Sequence, residues 1–286
     1  MAYPTVSSAN GFIAINELNG LPYAGATRQI PIPNAYPTSI FNGDLVELAG
    51  GVINITGMTI ATTTSARAGQ IGVFVGCSYT SPSTGQKLFA QYYPASTAAN
   101  DAVAYVVDDP SAVFKAVVVA QASSESNTAT TIGYMSQAFV GTNAYAVTGT
   151  AGSTTTGNSK MAVSADGPSN GSGNVRVTTG LPFRVVGIVP ETAVTVTGTG
   201  SSSSTTITLT AAVTGLQAGM QVICPAASAG GGAGNYNYVT NVNSTTVTVA
   251  NTLTAAAGST FTFVGYPEVL VKWNQGYHSY QFATGV

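Results

Sequence analysis

One histidine, two cysteines and ten carboxylates make up most of the proton-transferring and metal-ligating side chains in this 286-residue chain. The lone histidine, His278, stands among aromatics in Asn274-Gln275-Gly276-Tyr277-His278-Ser279-Tyr280. Such a group can act as a general base or be a packed, hydrogen-bonded structural residue, and no Gly-x-Ser-x-Gly elbow offers it a nucleophile. The nearest spacing, Gly171-Ser172-Gly173, falls in a run of Pro, Asn and Gly that reads as a turn. Asp108-Asp109-Pro110 is the densest carboxylate spot. It could offer oxygens to Ca²⁺. No second acidic cluster lies nearby in sequence to complete a shell, and Asp before Pro closes turns by local hydrogen bonds, so the turn is the reading taken. A paired-carboxylate hydrolase would need two of Asp44, Glu47, Asp101, Asp108 and Asp109 within roughly 5 to 10 Å. The glycine-rich stretches lack Gly-x-x-x-x-Gly-Lys-Ser/Thr and precede no helix, which disfavours a phosphate loop. Cys77 and Cys224 sit in apolar runs and read as small buried hydrophobes rather than a disulfide, although spacing alone cannot settle pairing. Trp273 and the pair Tyr92-Tyr93 could stack on sugars or bases, or fill a core or subunit interface. The expectation is a protein that is not an enzyme, with no catalytic, cofactor-binding or metal-ligating residue.

The elements that must position these residues come from a chain poor in charge. Eight Lys and Arg against ten Asp and Glu make 6% charged residues and a net charge of −2, against about 25% charged in ordinary soluble chains. Clustered cations that would replace phosphate counterions are missing, which excludes nucleic acid as a partner. There is no polybasic or amphipathic face for a membrane surface. No run approaches the ~18 apolar residues of a spanning helix. The first residues carry neither a basic nor an apolar signal region, so synthesis in a cytoplasm is expected. With 44% hydrophobic residues the chain folds rather than remaining disordered.

Short runs of Val, Ile, Thr, Tyr and Phe bounded by Gly, Pro, Asn and Ser predict an all-β fold with little helix. It should be mainly an antiparallel sandwich or barrel. The clearest strands are 72–79, 87–93, 102–107, 113–121, 182–189 and 269–273, several apolar at nearly every position and therefore covered on both faces. A helix is expected only in short pieces, for example around 132–139. Between 192 and 267 no Asp, Glu, Lys, Arg or His occurs. Within that stretch Thr206-Ile207-Thr208-Leu209-Thr210 and Thr245-Thr246-Val247-Thr248-Val249 alternate cleanly, with apolar residues on one face and Thr on the other. The reading is a discontinuous first domain, 1–192 plus 265–286, interrupted by an uncharged Ser/Thr/Gly-rich β-sandwich-like module, 193–264. The module's two ends must then lie close together. Ser201 to Ser204 would be a flexible lead-in to the module, and 229–235 an exposed glycine loop.

Several blocks together resemble a family of tailed-phage structural proteins. They are Gly11-Phe12, Asn19-Gly20-Leu21-Pro22-Tyr23-Ala24-Gly25, Ile30-Pro31-Ile32-Pro33 and Phe41-Asn42-Gly43-Asp44-Leu45-Val46. Three more follow in order: Gly72-Val73-Phe74-Val75-Gly76-Cys77-Ser78-Tyr79-Thr80, Ala104-Tyr105-Val106-Val107-Asp108-Asp109-Pro110 and Glu268-Val269-Leu270-Val271-Lys272-Trp273-Asn274. The family resembles capsid decoration or cement proteins. The resemblance implies a virion protein on the outer capsid surface, assembled in the host bacterial cytoplasm. Its partners would be the major capsid protein and its own copies, as a homotrimer over a threefold junction. The 193–264 module departs from the family pattern; it would project outward as a spacer or make weak host-surface or glycan contacts. A tail, adaptor or fibre-associated position, or a carbohydrate-binding module, are the alternatives. Residues 1–6 and the segment carrying Pro31, Pro33 and Pro37 are either extended contacts that add strands to a neighbour, or a frayed terminus and a proline-stiffened loop.

Overall fold

The computed structural model describes residues 6–18, 20–55, 70–120, 131–164, 181–228 and 236–281. Their strands form three antiparallel sheets, so the all-β reading is borne out. Among the described residues helix is confined to three single 3₁₀ turns, Gln137–Phe139, Pro190–Thr192 and Ser279–Gln281. The region around 132–139 contributes one of them. Ahead of it, Ile132 and Met135 form β-bridges to Val119 and Tyr266, because partners from other strands claim the backbone groups a longer helix would use.

The first sheet runs β1 (Ile13–Glu17), β8 (Ala112–Val117), β16 (Glu268–Trp273), β11 (Phe183–Ile188), β9 (Asn143–Val147) and β10 (Ala162–Ser164). It curls until β10 reaches the end of β8. Val118 and Val163 form a parallel bridge there, and the Val119 N–H donates to the Val163 carbonyl at 2.9 Å, closing a small barrel. The second sheet runs β2 (Arg28–Pro31), β7 (Val103–Val107), β5 (Gln70–Thr80), β3 (Leu45–Ala49) and β4 (Val52–Ile55), with β6 (Lys87–Ala90) alongside the far end of β5. β5 is buried along nearly its whole length. Val73 joins Leu45, Val107, Phe114 and Trp273 in one core, whereas Phe74 joins Ile30, Val46 and Val106 in another. A strand covered on both faces needs no polar alternation, which accounts for its continuous apolar sequence.

The third sheet is built from the charge-free stretch: β12 (Val194–Leu209), β15 (Thr246–Gly265), β13 (Gln221–Ile223) and β14 (Val239–Asn243). Ile207 pairs with Val247, and these two with Leu209, Val249, Phe261 and Phe263 are buried in its core. Thr208 and Thr246 point to solvent. The chain enters and leaves this sheet side by side: Val189 N–H donates to the Glu268 carbonyl at 3.1 Å, and Val194 pairs with Gly265.

Ser201 to Ser204 are not a flexible lead-in. They lie inside β12, with Ser202, Ser203 and Ser204 opposite Ala255, Thr254 and Leu253. The Ser202 hydroxyl is buried and bonds the carbonyls of Leu253 (2.8 Å) and Thr206 (2.9 Å). A long partner strand supplies ladder bonds that outweigh the weak intrinsic strand preference of serine. Two expected strands are also shorter than the sequence suggests. β6 ends at Ala90, since Tyr93 turns away to bridge Ile40, and β8 ends at Val117. The 229–235 loop, the Gly171-Ser172-Gly173 spacing and residues 1–5 lie outside the described residues.

Candidate functional site

His278 ends a continuous stack of rings. Phe12 stacks on Phe183 at 4.9 Å, Phe183 on Trp273 at 4.5 Å, Trp273 meets His278 edge-on at 5.8 Å, and His278 meets Tyr280 at 4.9 Å. The series closes at the surface with the Arg28 guanidinium 5.9 Å over the Tyr280 ring. The imidazole is fully buried. Its Nδ1 accepts from the Tyr280 N–H at 3.2 Å, so Nε2 carries the proton and donates to the Ile71 carbonyl at 2.7 Å. Burial pushes its pKa down, opposed by the bond to Ile71 and by Asp108 and Asp109. Both ring nitrogens are thus committed to holding 276–281 against β5, and His278 is a packed structural residue.

Asp108 and Asp109 form the turn between β7 and β8. Asp109 Oδ1 accepts from the Ser111 N–H at 2.7 Å, a local capping bond. Asp108 accepts from the Tyr280 hydroxyl and lies 3.6 Å from Arg28 Nη1, and Arg28 donates to the same hydroxyl. A guanidinium therefore neutralises the carboxylate that the Ca²⁺ reading would have used. Among the described residues no three His, Cys, Asp or Glu side chains gather where a metal ion could be held.

The other carboxylates have separate surroundings. Asp101 lies at the surface with Lys87 Nζ at 2.8 Å and the Thr80 N–H and hydroxyl at 2.9 and 2.7 Å; these bonds hold it well below the usual carboxylate range. Glu47 accepts from Asn54 at 2.6 Å. Asp44 is the unusual one. It is buried, accepts from the Phe41 N–H at 2.7 Å, and its pKa is pushed up to about 6 by burial, opposed by the Ser159 hydroxyl and the Phe41 amide. The chain passes Gly11 beside Gly43 just ahead of it. Gly11 (φ +75°) and Gly43 (φ +94°) leave no room for side chains, since a Cβ on either would fall within 2.9 Å of the other's Cα. Two sequence blocks some thirty residues apart thus meet through their glycines, and Asp44 borders a cavity of about 440 Å³ with Phe41, Thr150 and Met161.

Cys77 and Cys224 are free, buried thiols in different cores, and burial pushes the Cys77 thiol up to about 12, away from nucleophilic character. Trp273 and Tyr93 are core residues. Tyr92 stacks on Phe41 at 5.5 Å.

The surface carries features that the sequence reading did not single out. Leu18 and Leu21, 54% and 59% exposed, tip the hairpin after β1. Phe89, 78% exposed, and Leu88 stand on β6. A run of Lys-Leu-Phe-Ala gives only a strand signal; which faces stay uncovered depends on elements far away in sequence. On the third sheet a shallow cavity of about 440 Å³ is lined by Thr197, Thr199, Thr210, Thr214 and Thr260 together with the apolar Ala211–Val213.

Fold and surface define an all-β architecture of three antiparallel sheets, in which Asp109 holds a turn, Arg28 pairs with Asp108 and His278 is packed among rings. Comparison with known protein families, with curated proteins and with solved structures finds no match.

Proposed function

We propose that this chain is a virion structural protein of a tailed phage, a decoration or cement protein that binds the outer capsid surface at capsomer junctions and stabilises the shell. The supporting observation is a surface with apolar side chains at two sheet margins, Leu18 and Leu21 beyond β1 and Leu88 and Phe89 on β6. Exposed apolar groups at sheet margins suit burial against neighbours, and the seven sequence blocks resembling phage proteins point to the same setting. The work is mechanical: each copy spans a junction, buries apolar surface across it and raises the barrier to rupture. The major capsid protein is the partner, with copies arranged about threefold positions. Residues 193–264 face outward as a nearly neutral Ser/Thr surface.

Counting copies in purified particles tests this. Hundreds per particle, with earlier heat rupture when the protein is stripped, is the expected result; about six or twelve, the numbers of a connector or tail ring, would overturn it in favour of a tail or adaptor position. A second reading, glycan or host-surface adhesion, is favoured by the threonine-lined cavity of the third sheet; saturable binding on a glycan array that is lost in Thr197→Val would establish it.

A further inference from the structure

An antiparallel strand exposes backbone donors and acceptors on its free side unless something closes it. Most other edges here are closed. β1 receives the Tyr23 N–H on the Ile15 carbonyl at 3.0 Å and a bridge from Pro22. β2 carries Pro31 and is followed by Pro33. On β4 the Ile55 N–H donates to the Tyr36 hydroxyl at 2.9 Å. β10 closes on Val118 and Val119, and on β13 the Val222 N–H donates to Asn237 at 2.9 Å.

Among the described residues β6 has no such device. The Ser81 N–H donates to the Gln86 carbonyl at 2.8 Å, closing the hairpin, and Tyr79 opposes Leu88 while Cys77 opposes Ala90. Hydrogen-bonding pairs alternate along an antiparallel ladder, so Leu88 and Ala90 turn their backbone groups to β5. Those of Lys87 and Phe89 face outward. The usual guard of such an edge is a lysine, yet Lys87 is drawn sideways onto Asp101, its Nζ 2.8 Å from the carboxylate. What remains is a short edge carrying Phe89, the most exposed large apolar side chain among the described residues.

We propose that β6 is a self-pairing strand, which joins two copies of this chain antiparallel about a twofold axis through Phe89. In that register Phe89 faces the partner's Phe89, Lys87 faces the partner's Gln91, and Leu88 faces the partner's Ala90. The outward N–H and carbonyl of Phe89 pair with those of the partner's Phe89, while those of Lys87 lie opposite the residue just past the end of the partner's strand. No like charges are apposed: the two Lys87 residues are offset by four positions, roughly 14 Å at the rise of a strand. That exceeds the screening length of about 8 Å in physiological salt, and each lysine keeps its Asp101. With Lys87 held by Asp101 the edge bears no uncompensated charge, so a second copy meets no repulsion there and a charged partner gains no attraction. This contact does not depend on the capsid reading; it joins free copies, or threefold groups on a shell to their neighbours.

The test uses the full chain in solution. Phe89→Cys places two thiols about 5.5 Å apart between Cα atoms, within disulfide reach, while native Cys77 and Cys224 are buried. Under mild oxidation F89C should give a covalent dimer, and S83C, on the exposed turn before β6, should not. Phe89→Asp should lower the concentration-dependent dimer fraction by roughly tenfold or more, as like charges meet at the axis. Its circular dichroism and melting should be unchanged, since Phe89 packs on little of its own chain. Leu18→Asp, on the other apolar margin, should leave the mass distribution as it is. Equal cross-linking of F89C and S83C, a mass distribution unaffected by F89D, or one that responds to L18D instead would each overturn the proposal.

Discussion

The two six-stranded sheets and the four-stranded sheet bury apolar surface by different means. Between the first two, large rings interlock: Phe12, Phe183, Trp273 and His278 form one stack. Ionisable groups are drawn in with them, Asp44 and His278 buried and Lys115 paired with Glu268 at 3.2 Å. The third sheet has no acidic or basic side chain to bury. It packs aliphatic residues with Phe261 and Phe263 in one core, faces solvent with threonines, and satisfies buried polar groups through the backbone. Asn237 is an example: its side chain bonds both the carbonyl and the N–H of Asn251, at 2.8 and 3.0 Å. A long ladder and strict alternation are enough to specify a sheet without charge. Charge, where it is buried, ties stability to pH.

The largest effect should separate the two regions. Trp273→Ala should cost about 3–5 kcal/mol and, by hydrogen exchange, expose β8, β11 and β16 before β15. Phe261→Ala removes a comparable ring, and its exchange should rise first in β12 and β15; the same pattern in both variants would show that the sheets unfold as one unit. The next effect is electrostatic. Because burial raises Asp44 to about 6 from an ordinary 3.8, the folded state holds that proton more tightly than the unfolded chain. Stability from this group is full below about pH 4 and falls as pH rises through 6. Asp44→Asn should therefore stabilise by about 1–3 kcal/mol at pH 8 and by nothing at pH 4, read from denaturant midpoints.

His278 acts with the opposite sign. Burial holds it below its ordinary 6.5, the unfolded chain binds that proton more readily, and stability declines as pH falls below about 6.5. His278→Gln should flatten that acid limb at a cost of about 1–2 kcal/mol at pH 7 from lost hydrogen bonds. Protection in β12 and β15, corrected for intrinsic exchange, should not vary between pH 4 and 8; a slope there would mean that the regions are energetically coupled. The smallest effect is expected at Lys87. Lys87→Met breaks an exposed pair of the kind that adds little, so the midpoint should not move, and any change should be confined to exchange in the β5–β6 hairpin.

How far the sequence could be read depends on how local each signal is. Alternation in 206–210 and 245–249 marked two strands and their buried faces correctly, because period two is written residue by residue. Cys77 and Cys224 were legible as buried because each sits in a local apolar run. The serine run misled, since its partner in β15 lies some fifty residues away. The ring of contacts among Arg28, Asp108 and Tyr280 had no sequence signal at all: Arg28 and Tyr280 are 252 positions apart.

By itself the sequence determined the all-β class, the scarcity of charge and its absence from 192–267, and the small supply of groups able to do chemistry. Tertiary structure alone decided which apolar residues are covered. Phe114 and Phe89 both sit in β-strands, yet one is fully buried and the other 78% exposed. Strand propensity is a property of neighbours in the chain, whereas burial is set by elements arriving from elsewhere. Only the assembled sheets therefore show which edge is left open.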